Sequence, residues 1–473
     1  MTFGASARRY AGNVSADSSP ADLERLADAA LDAAVAAGAT DAEAYAQGGE
    51  GIEVRVYEGE VEALTESAQR GIGVRAWIDG RTGYAYGTDL GDDGLRSIAS
   101  AAVEAARVSD SDEHAGPADA SEDGVPEIAG LLDATIGEWG TERKVELAQR
   151  VERAAREDDR VVAIEDTVYA DEAQRVAIAS SAGARGGYES TSCYAYARAI
   201  AAADGDDRQT GLGFEVARGP GGLDAGAIGA EAAERATALL GATKPASRSC
   251  PVVLDETVAA SVIGFIGGVL CADAVQRGRS PFADRLGDEI ASSALTLTDD
   301  GVDPDGPASA PFDGEGTPHR RTALIDGGRL DTYLFDSYTA RRAGGGQAST
   351  GNASRAGYRS APSVSTTNLV IAEGEGGLDA LLADAAGGIY VTDVAGLHSG
   401  VNPVSGTFSV GASGRRIEGG ELADPHTEFT IASDLASMLA AVRAAARPAR
   451  WVPFGGSVKA PALLIGEMAV GGN

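Results

Sequence analysis

Along the first hundred residues the pattern of apolar and polar positions changes period several times, and each change marks an element. Leu23, Leu26, Ala30 and Val35 recur at helical spacing between Pro20 and Gly38, a proline suited to a helix start and a glycine to its end. Ile52, Val54 and Val56 then alternate with Glu53, Arg55 and Tyr57, the period of a half-buried strand. A second extended run over 73–78 meets Asp79-Gly80 and returns through Tyr84 to Tyr86, the clearest hairpin signal in the chain. Leu95, Ile98, Ala102 and Ala106 restore helical spacing.

Residues 109–127, SDSDEHAGPADASEDGVPE, are acidic, carry two prolines and show no period, so they are expected to form a mobile linker or exposed loop. Helical spacing returns over 141–156, strand patterns follow at 161–169, 175–180 and 188–202, and a helix over 223–240 is closed by Gly241. The segment KPAS at 244–247 marks a boundary.

Beyond it, 254–275, LDETVAASVIGFIGGVLCADAV, reads as one buried apolar helix. Short strand patterns broken by Gly and Asp follow at 321–325, 330–335, 368–371, 388–393, 407–410 and 462–468, with a helix at 434–443. The expected fold class is α+β: an N-terminal α/β layered half and a C-terminal β-rich, barrel-like domain around the central apolar helix. The expected divisions are 1–108, the acidic segment 109–127, a middle region 128–245 and a C-terminal domain 246–473.

A chain of 473 residues is consistent with such a division into two or three cores. Charge adds an exclusion: 71 acidic against 39 basic residues give a net charge of −32, which argues against binding nucleic acid or an anionic membrane through a general surface field. The only lysines are Lys144, Lys244 and Lys459, and this acidic, lysine-poor composition resembles proteins of salt-loving cytoplasms; the alternative is an acidic protein of a GC-rich genome. Cys193, Cys250 and Cys271 form no C-x-x-C pair, as expected of reduced thiols. The N-terminus lacks the apolar core of a signal peptide, and the longest apolar run, 258–272, falls short of the roughly 18 residues that span a bilayer. A soluble, cytoplasmic protein is the expectation.

Candidate chemistry is sparse. His114, His319, His398 and His426 are too far apart for two to lie one turn apart on a helix, so helix-borne zinc coordination is not written here. There is no G-x-S-x-G elbow and no phosphate-binding G-x-x-x-x-G-K-[ST]. Asp313 and Glu315, in FDGEGT, are either an acid/base or cation-holding pair or part of a glycine-rich turn. Arg341 and Arg342 are candidates to clamp a peptide carboxylate or are simply solvated. Gly264, Gly267 and Gly268 each cost the apolar helix roughly 1 kcal/mol, which implies tight packing or a bend there. Cys271, in the same helix, is read as packed rather than reactive.

Taken in order, PFDGEGT at 311–317, RRTALIDGGRLDTYLFDSYTARR at 320–342, STGNA at 349–353, GIYVTD at 388–393, SGTFS at 405–409 and the terminal GEMAVGG resemble the TldD/TldE (PmbA) proteins, also called peptidase family U62. The resemblance covers 251–472 and, more weakly, the N-terminal half, and within it a halophilic archaeal source is implied by the composition. In that family TldD subunits carry H-E-x-x-x-H on the apolar helix and a cysteine near the C-terminal end, and these bind zinc for peptide hydrolysis. On this sequence the three motif positions are Gly264, Phe265 and Val269, and 451–457 holds no cysteine.

The resemblance therefore implies no catalytic residue and no metal in this chain, with zinc in a TldD-like partner. It implies a TldE/PmbA-like subunit of a heterodimeric metalloprotease acting on unfolded or small peptides, gripped by strand addition, with Asp313, Glu315, Arg341 and Asn352 as candidate peptide-contact or chamber-lining residues. Two alternatives stay open: an autonomous hydrolase using another site, and a homodimeric scaffold without protease function.

Overall fold

The structure is a computed structural model that describes residues 19–121, 124–203, 207–454 and 456–473. Residues 1–18, on which the absence of a leader was argued, lie outside the described residues, as does the His398 side chain.

In the N-terminal half α1 (Pro20–Ala36), β1 (Asp41–Tyr57), β2 (Glu60–Ile78), β3 (Arg81–Gly87) and α2 (Asp92–Val108) follow one another. After the one-turn α3 (Thr135–Glu138) the same order returns: α4 (Thr141–Ala155), β4 (Val161–Ser180), β5 (Arg185–Ala202), β6 (Arg208–Ala217) and α5 (Ala225–Thr237). The two sets share one antiparallel sheet, ordered β3-β2-β1-β4-β5-β6 and joined where β1 pairs with β4. On β1, Ala42, Ala44 and Ala46 enter the core beneath α1 and α2, while Ile52, Val54 and Val56 enter that beneath α4 and α5. All six have the same parity, so both helix pairs cover one face of the sheet and leave the other for the rest of the chain.

The Asp79-Gly80 hairpin forms as expected, with both residues at positive φ, 49° and 74°, as a two-residue type I′ turn requires. A second such turn at Glu58-Gly59 joins β1 to β2; its strands are far longer than the sequence signals. Their alanines, glycines and glutamates hide the period, and pairing along the whole ladder overrides weak propensity. For the same reason the two strands expected at 161–169 and 175–180 are one, β4, because polar 171–174 is paired on both sides.

The C-terminal part begins with β7 (Arg248–Leu254), α6 (Glu256–Val269) and the short α7 (Ala272–Gln276). The single helix expected over 254–275 is thus divided: Asp255 caps α6, and Leu270 and Cys271 break it before α7. There follow β8 (Leu297–Asp300), β9 (Arg321–Asp326), β10 (Arg329–Leu330), α8 (Ser337–Ala343), the paired β11 (Ala353–Ser354) and β12 (Ser363–Val364), β13 (Asn368–Ile371) and β14 (Ile389–Ala395). Last come β15 (Thr407–Glu418), β16 (Glu421–Asp434), β17 (Val442–Ala445), β18 (Arg450–Val452), β19 (Ser457–Ala460) and β20 (Leu463–Gly471). The strand expected over 330–335 stops at Leu330, where the chain leaves the ladder for α8, and the helix expected over 434–443 is one turn and a half before β17.

Strands β16, β15, β14, β7 and β20 close into a five-stranded barrel through the β16–β20 pairing, and β10-β9-β8-β13-β19-β18 form a separate sheet. The barrel-like expectation holds, but α6 is not enclosed by it. Even eight strands leave an interior filled by side chains, so five leave no room for a helix. Instead α6 lies between the barrel's β14 and β7 and the second sheet's β13, β18 and β19. No helix among the described residues is long and apolar enough to cross a membrane.

Within the acidic segment, residues 112–117 are held against α8. Arg341 of α8 donates to the carbonyls of His114, Gly116 and Pro117 at 2.7, 2.8 and 3.0 Å, and the Tyr338 hydroxyl donates to Asp112 at 2.8 Å. A polar segment buries little apolar surface, so its placement falls to these side-chain bonds.

Candidate functional site

The site is built on α6, whose start is fixed by charge. Asp255, fully buried, accepts the Val258 N–H at 2.7 Å and the Thr257 hydroxyl, and Arg235 of α5 donates to its other oxygen at 2.8 Å. Burial pushes the Asp255 carboxyl up to about 6, against the pull of Arg235 and the Val258 N–H. Arg235 also donates to Thr392 O at 3.4 Å, so α5, α6 and β14 meet at one guanidinium.

Beside this junction opens a cavity of about 500 Å³. Its walls include Tyr196 and Arg198 of β5, Thr257 and Ser261 of α6, Thr392 and Asp393 of β14, and Phe454. The β14 edge is part of the opening: β7 pairs with β14 only as far as Val391, whereas β15 follows it to Ala395, so among the described residues the β7 side of Thr392–Ala395 has no strand beside it. A cleft beside an open strand edge suits an extended chain, whose backbone can complete the ladder.

The positions expected from the lost motif lie along the same helix and offer no donor. Gly264 is half-buried; Phe265 packs towards Phe408, Val410, Ile431 and Met468 of the barrel; Val269 is buried. Zinc takes nitrogen, sulfur or carboxylate ligands, so these residues do not fit it. Among the described residues no group of three His, Cys, Asp or Glu is arranged to hold a metal ion. Cys271 is buried, its thiol donates to Gly267 O at 3.5 Å, and burial drives its pKa upward. Of the three glycines, Gly267 meets Leu369 so closely that a Cβ would lie 2.4 Å from its Cδ1, whereas Gly268 faces open space.

Asp313, Glu315 and Asn352 sit elsewhere, where the C-terminal part meets the open face of the N-terminal sheet. Asp313 and Glu315 belong to a tight turn closed by Gly316 at φ 81°, both buried. Asp313 accepts the N–H groups of Glu315, Thr317 and Ala353 at 2.9 to 3.0 Å. Glu315 accepts Arg75 at 2.9 Å and the Ser337 N–H at 3.0 Å. Burial, then the Glu315 charge, pushes the Asp313 carboxyl up; burial is also the largest influence on Glu315, but Arg75 and the hydrogen bonds from Ser337 together outweigh it and the net shift is down. Arg75 bridges to Glu43 at 2.8 Å, and Arg355 pairs with Glu43's other oxygen. Asn352 donates to Asp299 at 2.6 Å and to Ser365 O, and accepts the Thr350 hydroxyl. Arg341 holds the acidic segment. None of these four lines the cavity beside α6.

Glu43, Arg75 and Arg355 were missed by the sequence reading, although a charged residue at alternate positions of apolar strands, as in Val74-Arg75-Ala76, was a usable signal. Tyr196, Arg198 and Asp393 carried no local signal, because only the sheet and barrel bring them together.

Comparison with known proteins agrees with this architecture. The chain matches the PmbA/TldA metallopeptidase family in domain 1 over 42–106, the central domain over 135–240 and the C-terminal domain over 247–472. It belongs to the PmbA/TldD metallopeptidase family. It is 29% identical to the metalloprotease PmbA of Escherichia coli O157:H7 over 422 residues, covering 88% of this chain and 89% of that one. Among solved structures, a putative modulator of DNA gyrase from Thermotoga maritima superposes with a TM-score of 0.86 at 24% identity, covering 94% of this chain and 99% of the other. TldE from Thermococcus kodakarensis does so with a TM-score of 0.85 at 21% identity, covering 93% and 99%.

Proposed function

We propose that this chain is the metal-free, TldE-like subunit of a two-chain zinc metalloprotease, working on unfolded or small peptides in the cytoplasm. In this reading the zinc belongs to a TldD-like partner, and this chain supplies wall and peptide contacts. The observation that carries it is α6 itself: Gly264, Phe265 and Val269 offer no ligand, yet the helix still borders a cavity of about 500 Å³ and an open strand edge. A bound peptide adds a strand at Thr392–Ala395, and side chains of alternate parity enter the cavity.

Co-expression with a TldD-like chain from the same genome tests this, by particle mass, zinc content and hydrolysis of an unfolded protein. A mixed dimer carrying zinc and peptidase activity is expected, with the lone chain lacking both. Chelator-sensitive hydrolysis by the lone chain would overturn the proposal in favour of an autonomous enzyme. A homodimer that never pairs with the TldD-like chain would overturn it in favour of a scaffold.

A further inference from the structure

Among the described residues, apolar side chains of the C-terminal part cover the face of the N-terminal sheet opposite the helices in two places. Phe312 and Tyr358 cover it beside Tyr45, Val176 and Ile178, and the α6 region packs against Tyr196 and Leu212. Between them, register places two rows of residues side by side on the open face: Ser67, Gly51, Glu172 and Ser192, then Thr65, Glu53, Ala170 and Tyr194. Small side chains in these rows leave a trough of about 350 Å³. Tyr194, 40% exposed, stacks at 6.4 Å and 10° on Tyr196, which already lines the cavity beside α6. From Ser192 to Arg198 the open face runs for roughly 20 Å, the span of about six extended residues.

Charge along this path is one-sided. The cations that line or adjoin it are already answered: Arg198 by Glu165 at 3.3 Å and Asp166 at 3.7 Å, Arg235 by Asp255 and Glu231, and Arg55 by Glu53 at 3.9 Å. Glu172 in the trough and Asp393 in the cavity are exposed carboxylates with no ion pair among the described residues. Two uncompensated carboxylates at the ends of a path floored by two parallel tyrosine rings form a receptor for cationic side chains, which bind carboxylates and ring faces alike.

We propose that trough and cavity form one track that selects basic, extended peptides, with lysine or arginine side chains at Glu172 and Asp393 and the chain passing over Tyr194 and Tyr196. This rests on the peptide-binding reading above and names the class of peptide.

The test is fluorescence anisotropy of the full chain with three labelled unstructured peptides of equal length, lysine/arginine-rich, neutral and glutamate-rich. The basic peptide is expected to bind at least about tenfold tighter than the neutral one at low salt, and the acidic one not at all. Glu172→Gln/Asp393→Asn is expected to remove most of that preference, and Tyr194→Ala to weaken the basic peptide severalfold. Asp32→Asn/Glu157→Gln, which changes net charge equally at exposed sites off the track, should leave the preference intact. Equal binding of basic and neutral peptides, or equal losses in the two charge-matched variants, overturns this inference while leaving peptide binding standing; no binding of any peptide overturns both.

Discussion

Gly267 and Gly268 are adjacent in α6 yet call for opposite outcomes. At Gly267 a methyl would meet Leu369 and Thr366, so Gly267→Ala is expected to destabilise by about 2 kcal/mol through overpacking. At Gly268 nothing is nearby, and Gly268→Ala should be neutral or stabilising by up to about 1 kcal/mol through helix propensity. Urea midpoints of the two variants measure the difference. Titration is equally local. Burial lowers His319 to about 4, so its neutral form is favoured in the fold; the stability it contributes is complete above about pH 6.5 and is lost as pH falls through 4. Asp299 is the reverse case: burial raises it to about 6, despite bonds from Asn352 and Thr367, so its contribution is complete below about pH 4 and is lost as pH rises through 6. Replacing His319 with Gln should flatten the acid limb of a stability-against-pH curve between 6.5 and 4. An unchanged limb would show that His319 is not protonated on unfolding.

Among the elements, the acidic segment shows how a stretch with no period acquires a place. Composition alone makes 109–127 a linker or an exposed loop, and the three carbonyls taken by one guanidinium are invisible until α8 is brought against it. Arg341→Ala should therefore free the segment, and cleavage at Glu113 by a glutamate-specific protease should accelerate about tenfold under native conditions. Helix α6 is the second instance. Its existence was legible from the apolar run, but its ends were not, because Asp255 becomes a cap only when Arg235 and β14 surround it. Removing that carboxylate leaves Arg235 without its buried partner, so Asp255→Ala is expected to lose about 3 kcal/mol by denaturant melts.

Across the whole molecule, the buried chain Arg355–Glu43–Arg75–Glu315 joins the sheet to the C-terminal part. Burial alone would depress the Arg75 pKa, and Glu43 and Glu315 reverse this, so the guanidinium stays charged. Arg75→Met would strand carboxylates beside an apolar side chain and should destabilise by about 3–5 kcal/mol, shown as a lowered midpoint in thermal or urea unfolding. An unchanged midpoint would mean that water or relaxed neighbours replace the arginine.

What the sequence determined by itself is local: the helices with strong 3.6-residue spacing, the Asp79-Gly80 turn, the excess acid, and the absence of ligand-bearing residues at Gly264, Phe265 and Val269. These follow from side-chain identity and short-range backbone preference, which need no partner. The tertiary structure alone decided that two helix–strand sets share one sheet, that the barrel closes without enclosing α6, that Tyr196 and Asp393 line one cavity, and that Glu172 lines a trough on the same sheet. Those are matters of which distant strands pair and in what register, and register is set by the sum of many weak contacts across the sheet rather than by any stretch of sequence.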